Sequence, residues 1–170
     1  MSSPVVTVRL DRPDAPDVRR LLDEHLADMF ATSPAESVHA LDHSALADPS
    51  ITFWTARDAD GALLGCGALR ALAGANGGGA DAAGAGGEIK SMRTGAAARG
   101  RGVATLLLAT ILEKARSRGY DAVWLETGAE DYFAAARRLY ARSGFVECGP
   151  FGAYAEDHHS VFMTLDLRDP

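Results

Sequence analysis

The chain has 170 residues, of which 47% are apolar and 24% charged, and its net charge is −6. That length suits one domain, the composition excludes wholesale disorder, and the acidic balance argues against a nucleic-acid binder, whose affinity rests on a basic face. No apolar run approaches the roughly 18 residues of a membrane helix, and M-S-S-P-V-V lacks a basic segment followed by an apolar one, so neither a membrane nor a secretory signal is expected.

Residues 5–10 alternate and are β-branched, which reads as a strand. Pro13 and Pro16 mark a turn, and Val18, Leu21, Leu22, Leu26 and Met29 then recur at helical spacing, predicting an amphipathic helix over 15–30. Ser33-Pro34-Ala35-Glu36 has the form of a second helix start, with Ser at the cap, and this short helix is expected to reach about Asp42. Strands follow over 51–57 and 63–72, joined at Asp60-Gly61 as an antiparallel hairpin. Residues 74–87 hold seven Gly and five Ala. Such a stretch has little side chain to bury and much entropy to lose, so it is expected to be a flexible loop in a hairpin turn. A strand over 88–94, a helix over 103–118 with Val103, Leu107, Ile111 and Ala115 on one stripe, and a strand over 122–126 come next. A helix over 131–143 and strands over 145–148 and 161–167 finish the chain. The order β α α β β β α β α β β makes an α+β or α/β fold on one mixed sheet.

Charge is unevenly spread. Residues 88–145 carry ten basic and six acidic side chains, and the rest carry seven and seventeen. A basic segment on an acidic body suits a small polyanionic ligand better than a long one, although clustering on solvated helix faces gives the same count. Within it, between a strand and a helix, lies G-A-A-A-R-G-R-G-V-A. Gly100 and Gly102 let the backbone approach a ligand, the helix start offers unpaired N–H groups, and Arg99 and Arg101 add charge, which together suit a pyrophosphate. The P-loop pattern fails because Arg101 and Gly102 follow Gly100, and the dinucleotide pattern fails at Thr105.

Arg99-x-x-Gly102-x-Ala104 resembles the acyl-CoA signature (Q/R)-x-x-G-x-(G/A) of the GNAT superfamily of N-acyltransferases. Ala136-x-x-Leu139-Tyr140-x-x-x-Gly144-Phe145 resembles its second signature, A-x-x-L-Y-x-x-x-G-F. Two ordered motifs on the right elements support each other, and the element order matches along nearly the whole chain. A closer likeness, to bacterial acetyltransferases of the YsnE type, is carried by S-P-A-E-S-V-H-A-L-D, E-I-K-S-M-R-T, L-E-T-G and F-V-E-C-G-P-F.

The resemblance implies one domain over 1–170. It would be built on a central mixed, mostly antiparallel sheet of about seven strands flanked by about four helices. It implies acetyl-CoA as cosubstrate, no metal, and a primary amine of a small molecule or peptide as acceptor. The backbone of Met92, Arg93 and Thr94 would pair with pantetheine. The N–H groups from Arg99 through Gly100, Arg101, Gly102, Val103 and Ala104 to Thr105 would hold the pyrophosphate. Phe133 stands where many members have a cofactor-bonding Asn, and would offer apolar packing instead. Tyr140 falls on the family's tyrosine acid; its spacing from Phe133 alone favours a core aromatic, a preference that the two motifs together reverse.

Glu88, eleven residues before Arg99, sits at the offset used by the general base of histone-acetylating members. It is expected on one strand face with Lys90, Met92 and Thr94. Glu126 is the rival base. Glu36, Ser37, His39 and Tyr154 are expected to line the acceptor site. Residues 1–60 carry eleven acidic and five basic side chains, which mildly favours a cationic amine. His39 and His43 have metal-ligand spacing but no third ligand, and His158-His159 reads as a plain loop pair. Cys66 and Cys148 read as free thiols of a cytoplasmic protein. Neither has an adjacent His–acid pair, which favours direct transfer over a covalent enzyme. The competing reading is a non-catalytic acyl-CoA-binding sensor or partner module. Monomer and homodimer both remain open.

Overall fold

The computed structural model describes residues 5–72 and 85–168. Seven strands form one sheet: β1 (Thr7–Leu10), β2 (Ile51–Arg57), β3 (Leu63–Leu72), β4 (Gly86–Thr94), β5 (Ala122–Gly128), β6 (Val146–Cys148) and β7 (Ser160–Asp166). Their spatial order is β1-β2-β3-β4-β5-β7-β6, and every pairing is antiparallel except β4 with β5. Three α-helices accompany the sheet: α1 (Pro16–Thr32), α2 (Val103–Ser117) and α3 (Ala134–Arg142). Parallel β4 and β5 require a crossover, which α2 supplies.

The helical stripe of α2 packs as its spacing requires. Val103, Leu107, Leu108, Ile111 and Ala115 are buried against Trp54, Leu69, Ile89, Val123 and Leu125 of the sheet. On the opposite face Val18, Leu21 and Leu22 of α1 cover Phe53, Cys66 and Ala68. Each cluster removes apolar surface from water at about 25 cal/mol per Å², which holds one helix to each face. Arg57 ties the β1–α1 turn to β2, bonding Asp11 and Asp17 with a guanidinium that is mostly buried.

The second helix expected at 33–42 is a single 3₁₀ turn, Ala35–Ser37, so three α-helices stand where about four were expected. The carbonyl of His39 accepts from Lys90 Nζ at 3.0 Å. In a helix that carbonyl would instead take the N–H of His43. The helical metal spacing of His39 and His43 goes with the helix. The Gly/Ala loop expected over 74–87 lies outside the described residues up to 84, and its end is corrected: Gly86 and Gly87 are buried in β4.

Two irregularities in β4 shape one end of the sheet. Against β3, Cys66 faces Arg93 and Ala68 faces Lys90, so Gly67 alone opposes Ser91 and Met92. This bulge puts Ser91 at φ +54, rare for a residue with a side chain. It reverses the alternation expected for β4. Met92 now lies over Gly67 and Ile111 on the α2 side, while Lys90 reaches His39 and Tyr154 on the other. Against β5, only three rungs form: Gly86 with Ala122, Gly87 with Val123 and Glu88 with Trp124. Beyond them the two strands run on unpaired, to Thr94 and Gly128, and the sheet forks.

At the tip of β5, Gly128 has no room for a side chain, because a Cβ there would fall within the ring of Phe133. Gly128→Ala is expected to destabilise the chain by about 1–3 kcal/mol through overpacking, read as a lower Tm in thermal denaturation. An unchanged Tm would mean that Phe133 is free to move aside.

Candidate active site

The fork opens into a cavity of about 640 Å³. One wall is β4 from Ile89 to Thr94 and the other is Glu126, Thr127 and Gly128 of β5. The start of α2, the α3 segment and the C-terminal half of α1 complete it. Met29, expected on the apolar stripe of α1, faces this space rather than the core.

At one end the chain turns from β4 into α2 through Gly100 and Gly102, with φ of +75 and +76, the left-handed region that glycine occupies without cost. Gly102 caps α2, and the first N–H bonded back within the helix is that of Leu106, to Gly102. The N–H groups of Val103, Ala104 and Thr105 are therefore left for a ligand. Arg99, Gly100, Gly102, Val103, Ala104 and Thr105 all line the cavity, and so do Met92, Arg93 and Thr94. Arg101 is exposed beside them and does not line it.

In the middle stand Phe133 and Tyr140, both lining the cavity. Tyr140 is only 6% exposed, packed edge-on against Phe145, and no described residue hydrogen-bonds its hydroxyl. Burial holds its phenol well above the ordinary pKa. It is a protonated donor whose hydrogen is uncommitted.

At the other end lie Ser37, His39, Lys90 and Glu126. Glu126 Oε1 accepts from the Ser160 hydroxyl at 2.8 Å. Burial raises its carboxyl above the usual range, which Ser160, His39 and Lys90 partly oppose. Glu88 is placed differently from expectation. It belongs to the last closed rung of the fork, is 1% exposed and does not line the cavity. Its oxygens are taken by Arg70 at 2.6 Å, by the Tyr154 hydroxyl at 2.5 Å and by Lys90 at 3.3 Å. A carboxylate so engaged serves as the counter-charge of buried Lys90 and half-buried Arg70. Glu126 lies two residues past the last rung on β5 and reaches the open space.

Tyr154 is likewise displaced from the lining. Its hydroxyl donates to Glu88 and accepts from Lys90 at 3.0 Å, and its ring backs His39 edge-on at 5.0 Å. Glu36 borders a neighbouring cleft of about 570 Å³, which shares Ser37 and His159 with the main cavity.

The structure adds residues that spacing did not single out for acceptor binding or catalysis. The Arg93 side chain bridges the fork: its Nη1 donates to Asp28 of α1 at 2.6 Å and to the Tyr132 hydroxyl at 3.2 Å, and that hydroxyl donates to Asp28 at 2.9 Å. His25 lines the cavity beside this group. Burial first and Arg93 second lower its imidazole from 6.5 to about 4. His159 also lines the cavity, paired through Nδ1 with Glu130 at 2.7 Å. A His on an α1 stripe and a His in a loop pair carry no periodic signal toward a site, so only the packing reveals them.

The model of the acetyltransferase (GNAT) family matches residues 18–145. The chain belongs to the GNAT acetyltransferase family. It is 44% identical over 160 residues to the uncharacterised N-acetyltransferase YsnE of Bacillus subtilis, covering 94% of this chain and 99% of that protein. It is 39% identical over 167 residues to an IAA acetyltransferase of Azospirillum brasilense, covering 96% and 99%. Among solved structures, an acyl-CoA N-acyltransferase from Klebsiella pneumoniae superposes with a TM-score of 0.72 at 27% identity, covering 95% of this chain and 97% of that one. Among the described residues, no helix is long and apolar enough to cross a membrane.

The depressed pKa of His25 has a consequence for stability. The unfolded chain takes up a proton near 6.5, which the folded chain refuses until about 4. Stability is therefore complete above about 6.5 and falls as pH drops toward 4. His25→Gln is expected to flatten that loss in thermal melts across the window. An unchanged pH dependence would show that His25 is solvated.

Proposed function

We propose that this GNAT protein is an acetyl-CoA-dependent N-acetyltransferase that moves an acetyl group directly to a primary amine of a small molecule or peptide. The observation that carries the reading is the fork. It combines an unpaired strand edge, a helix start with three free N–H groups, and a buried free tyrosine hydroxyl around one cavity.

In this reading the pyrophosphate lies on the N–H groups of Val103, Ala104 and Thr105, with Arg99 and Arg101 adding positive charge. The unpaired edge of β4 at Met92, Arg93 and Thr94 offers backbone groups to the two amides of pantetheine, as an added strand would. Phe133 packs against that arm. Tyr140 donates a hydrogen bond to the departing sulfur. A free thiol titrates near ~8.5 and a phenol near ~10, so a phenol raised further by burial stabilises the thiolate chiefly as a donor.

The acceptor occupies the end bounded by Ser37, His39 and Glu126. An alkyl ammonium, with a pKa near ~10, must lose a proton before it attacks. Glu126 is the base the geometry favours, because it reaches the cavity and Glu88 does not. Its carboxyl, raised by burial, suits that task. Glu88, with Arg70 and Tyr154, holds Lys90 and thereby the His39 carbonyl in place. Neither cysteine suits a covalent route. Burial pushes the Cys66 thiol up to about 12, and Cys148 lies on β6 away from the cavity lining.

Calorimetric titration with acetyl-CoA is expected to give micromolar binding or better. No binding sinks the enzyme and the sensor readings together, whereas binding without turnover on any amine leaves the sensor. Acceptors are then screened by thiol release, with IAA included because a 39% identical relative is named for it. Glu126→Gln is expected to lower kcat by about 10²–10⁴-fold. It should also abolish an acidic limb that lies above the usual carboxylate range, since the base works only when deprotonated and its pKa is raised. A variant that keeps the wild-type rate and limb removes Glu126 from this role. Tyr140→Phe is expected to cost about 10²-fold in kcat with little change in acetyl-CoA affinity. Equal turnover would exclude Tyr140 as the donor.

A further inference from the structure

The proton balance of amine acetylation moves two protons off the nitrogen. A primary ammonium enters with three hydrogens on nitrogen, and the product amide keeps one. The N–C bond forms, the C–S bond breaks with its electron pair leaving on sulfur, and one of the two lost protons ends on that sulfur. The other must reach solvent. Glu126 holds one proton at a time, and it sits partly buried between Ser160 and the cavity wall. A group beside Glu126 that also meets bulk water would shorten that path.

We propose that His159, oriented by Glu130, carries this proton from the acceptor end of the cavity to solvent. The proposal rests on the acetyltransferase reading and deepens it. His159 lines both the main cavity and the cleft beside it, and its side chain is 30% exposed. It therefore touches the reaction space on one side and water on the other. Ser160, the next residue, holds Glu126, so both proton-handling groups are set by the first residues of β7 and its approach.

The pairing fixes which nitrogen is free. Glu130 Oε1 lies 2.7 Å from Nδ1, while Glu130 Oε2 takes the Ser33 hydroxyl at 3.5 Å. A carboxylate at Nδ1 demands a hydrogen there, which leaves the lone pair on Nε2. The loop does not need the ring to hold its shape. The His159 carbonyl accepts from Ala129 at 2.9 Å, and its N–H donates to Asp157 at 2.9 Å. The ring is placed by a contact that the backbone already makes redundant.

Several charged and titratable groups stand near the imidazole. Glu130 faces it from the turn after β5, with Arg137 of α3 bonded to that turn's carbonyls. Asp157 and His158 flank it in its own loop, His158 at 4.0 Å between ring centres. Glu36 and Glu156 border the cleft into which it opens, and Glu126 borders the cavity.

The test compares the full-length wild type with His159→Ala and Glu130→Gln, using the amine that gives the most turnover. kcat/KM is measured from about pH 6 to about pH 9, spanning the ordinary histidine range. His159→Ala is expected to lower kcat/KM by about 10²-fold near neutral pH. The loss should shrink toward alkaline pH, and added imidazole should restore part of the rate. Glu130→Gln should lower kcat/KM in part, because the ring loses the contact that orients it. A His159→Ala variant within twofold of wild type overturns the proposal. So does a loss equal at every pH with no rescue by imidazole, which marks a structural tie. Both outcomes leave acetyl transfer itself intact. A wild type that binds acetyl-CoA and acetylates no amine overturns this proposal together with the enzyme reading.

Discussion

The cavity exists because two parallel strands stop pairing. After the rung of Glu88 and Trp124, β4 and β5 part, and each leaves a row of backbone N–H and C=O groups without a ladder partner. Such an edge is costly when dry and is ordinarily covered. Here it faces a cavity of ligand size, closed at one end by the start of α2. The bulge at Ser91 and Met92 adds the local twist that carries β4 away from β5, and the crossover through α2 keeps the helix start beside the opening. A strand edge, a helix start and a concave wall arise from one interruption in one sheet.

Buried charge then holds the walls. Arg70, Glu88, Lys90 and Tyr154 form one network behind the acceptor end, and Lys90 extends it to the carbonyl of His39. Breaking such a group leaves an uncompensated charge in low dielectric, so its members stand or fall together. Arg93, Asp28 and Tyr132 form a second group that spans the fork from β4 to α1 and to the turn after β5. One network fixes the segment after α1, and the other fixes the distance across the opening. The proposed reactive groups, Glu126 and Tyr140, lie between them.

Much of the fold was legible in the chain. The strands Ile51–Arg57 and Leu63–Leu72, the stripe of α2 and the glycine-rich turn before it each carry a local signal, in alternation, in 3.6-residue spacing or in a demand for positive φ. The Gly100–Gly102 end of the cavity was legible for the same reason, since it is a local turn followed by a helix start. The acceptor end was not. Ser33-Pro34-Ala35-Glu36 has the composition of a helix start, but Lys90, more than fifty residues away, takes the carbonyl that a helix would need. Glu88 has the spacing of a base, but it stands one rung below the opening.

The sequence by itself determined the family, most of the element order and the glycine-rich turn before α2, because two motifs and the hydrophobic periods are short-range properties of the chain. Tertiary structure alone decided which carboxylate meets the cavity, which side chains β4 turns inward, and that His25 and His159 line the cavity. The physical reason is that these depend on where pairing ends. A bulge of one residue reverses every later side chain on its strand, and a fork set by three rungs divides buried residues from reachable ones. Neither event has a period that can be read from the order of residues.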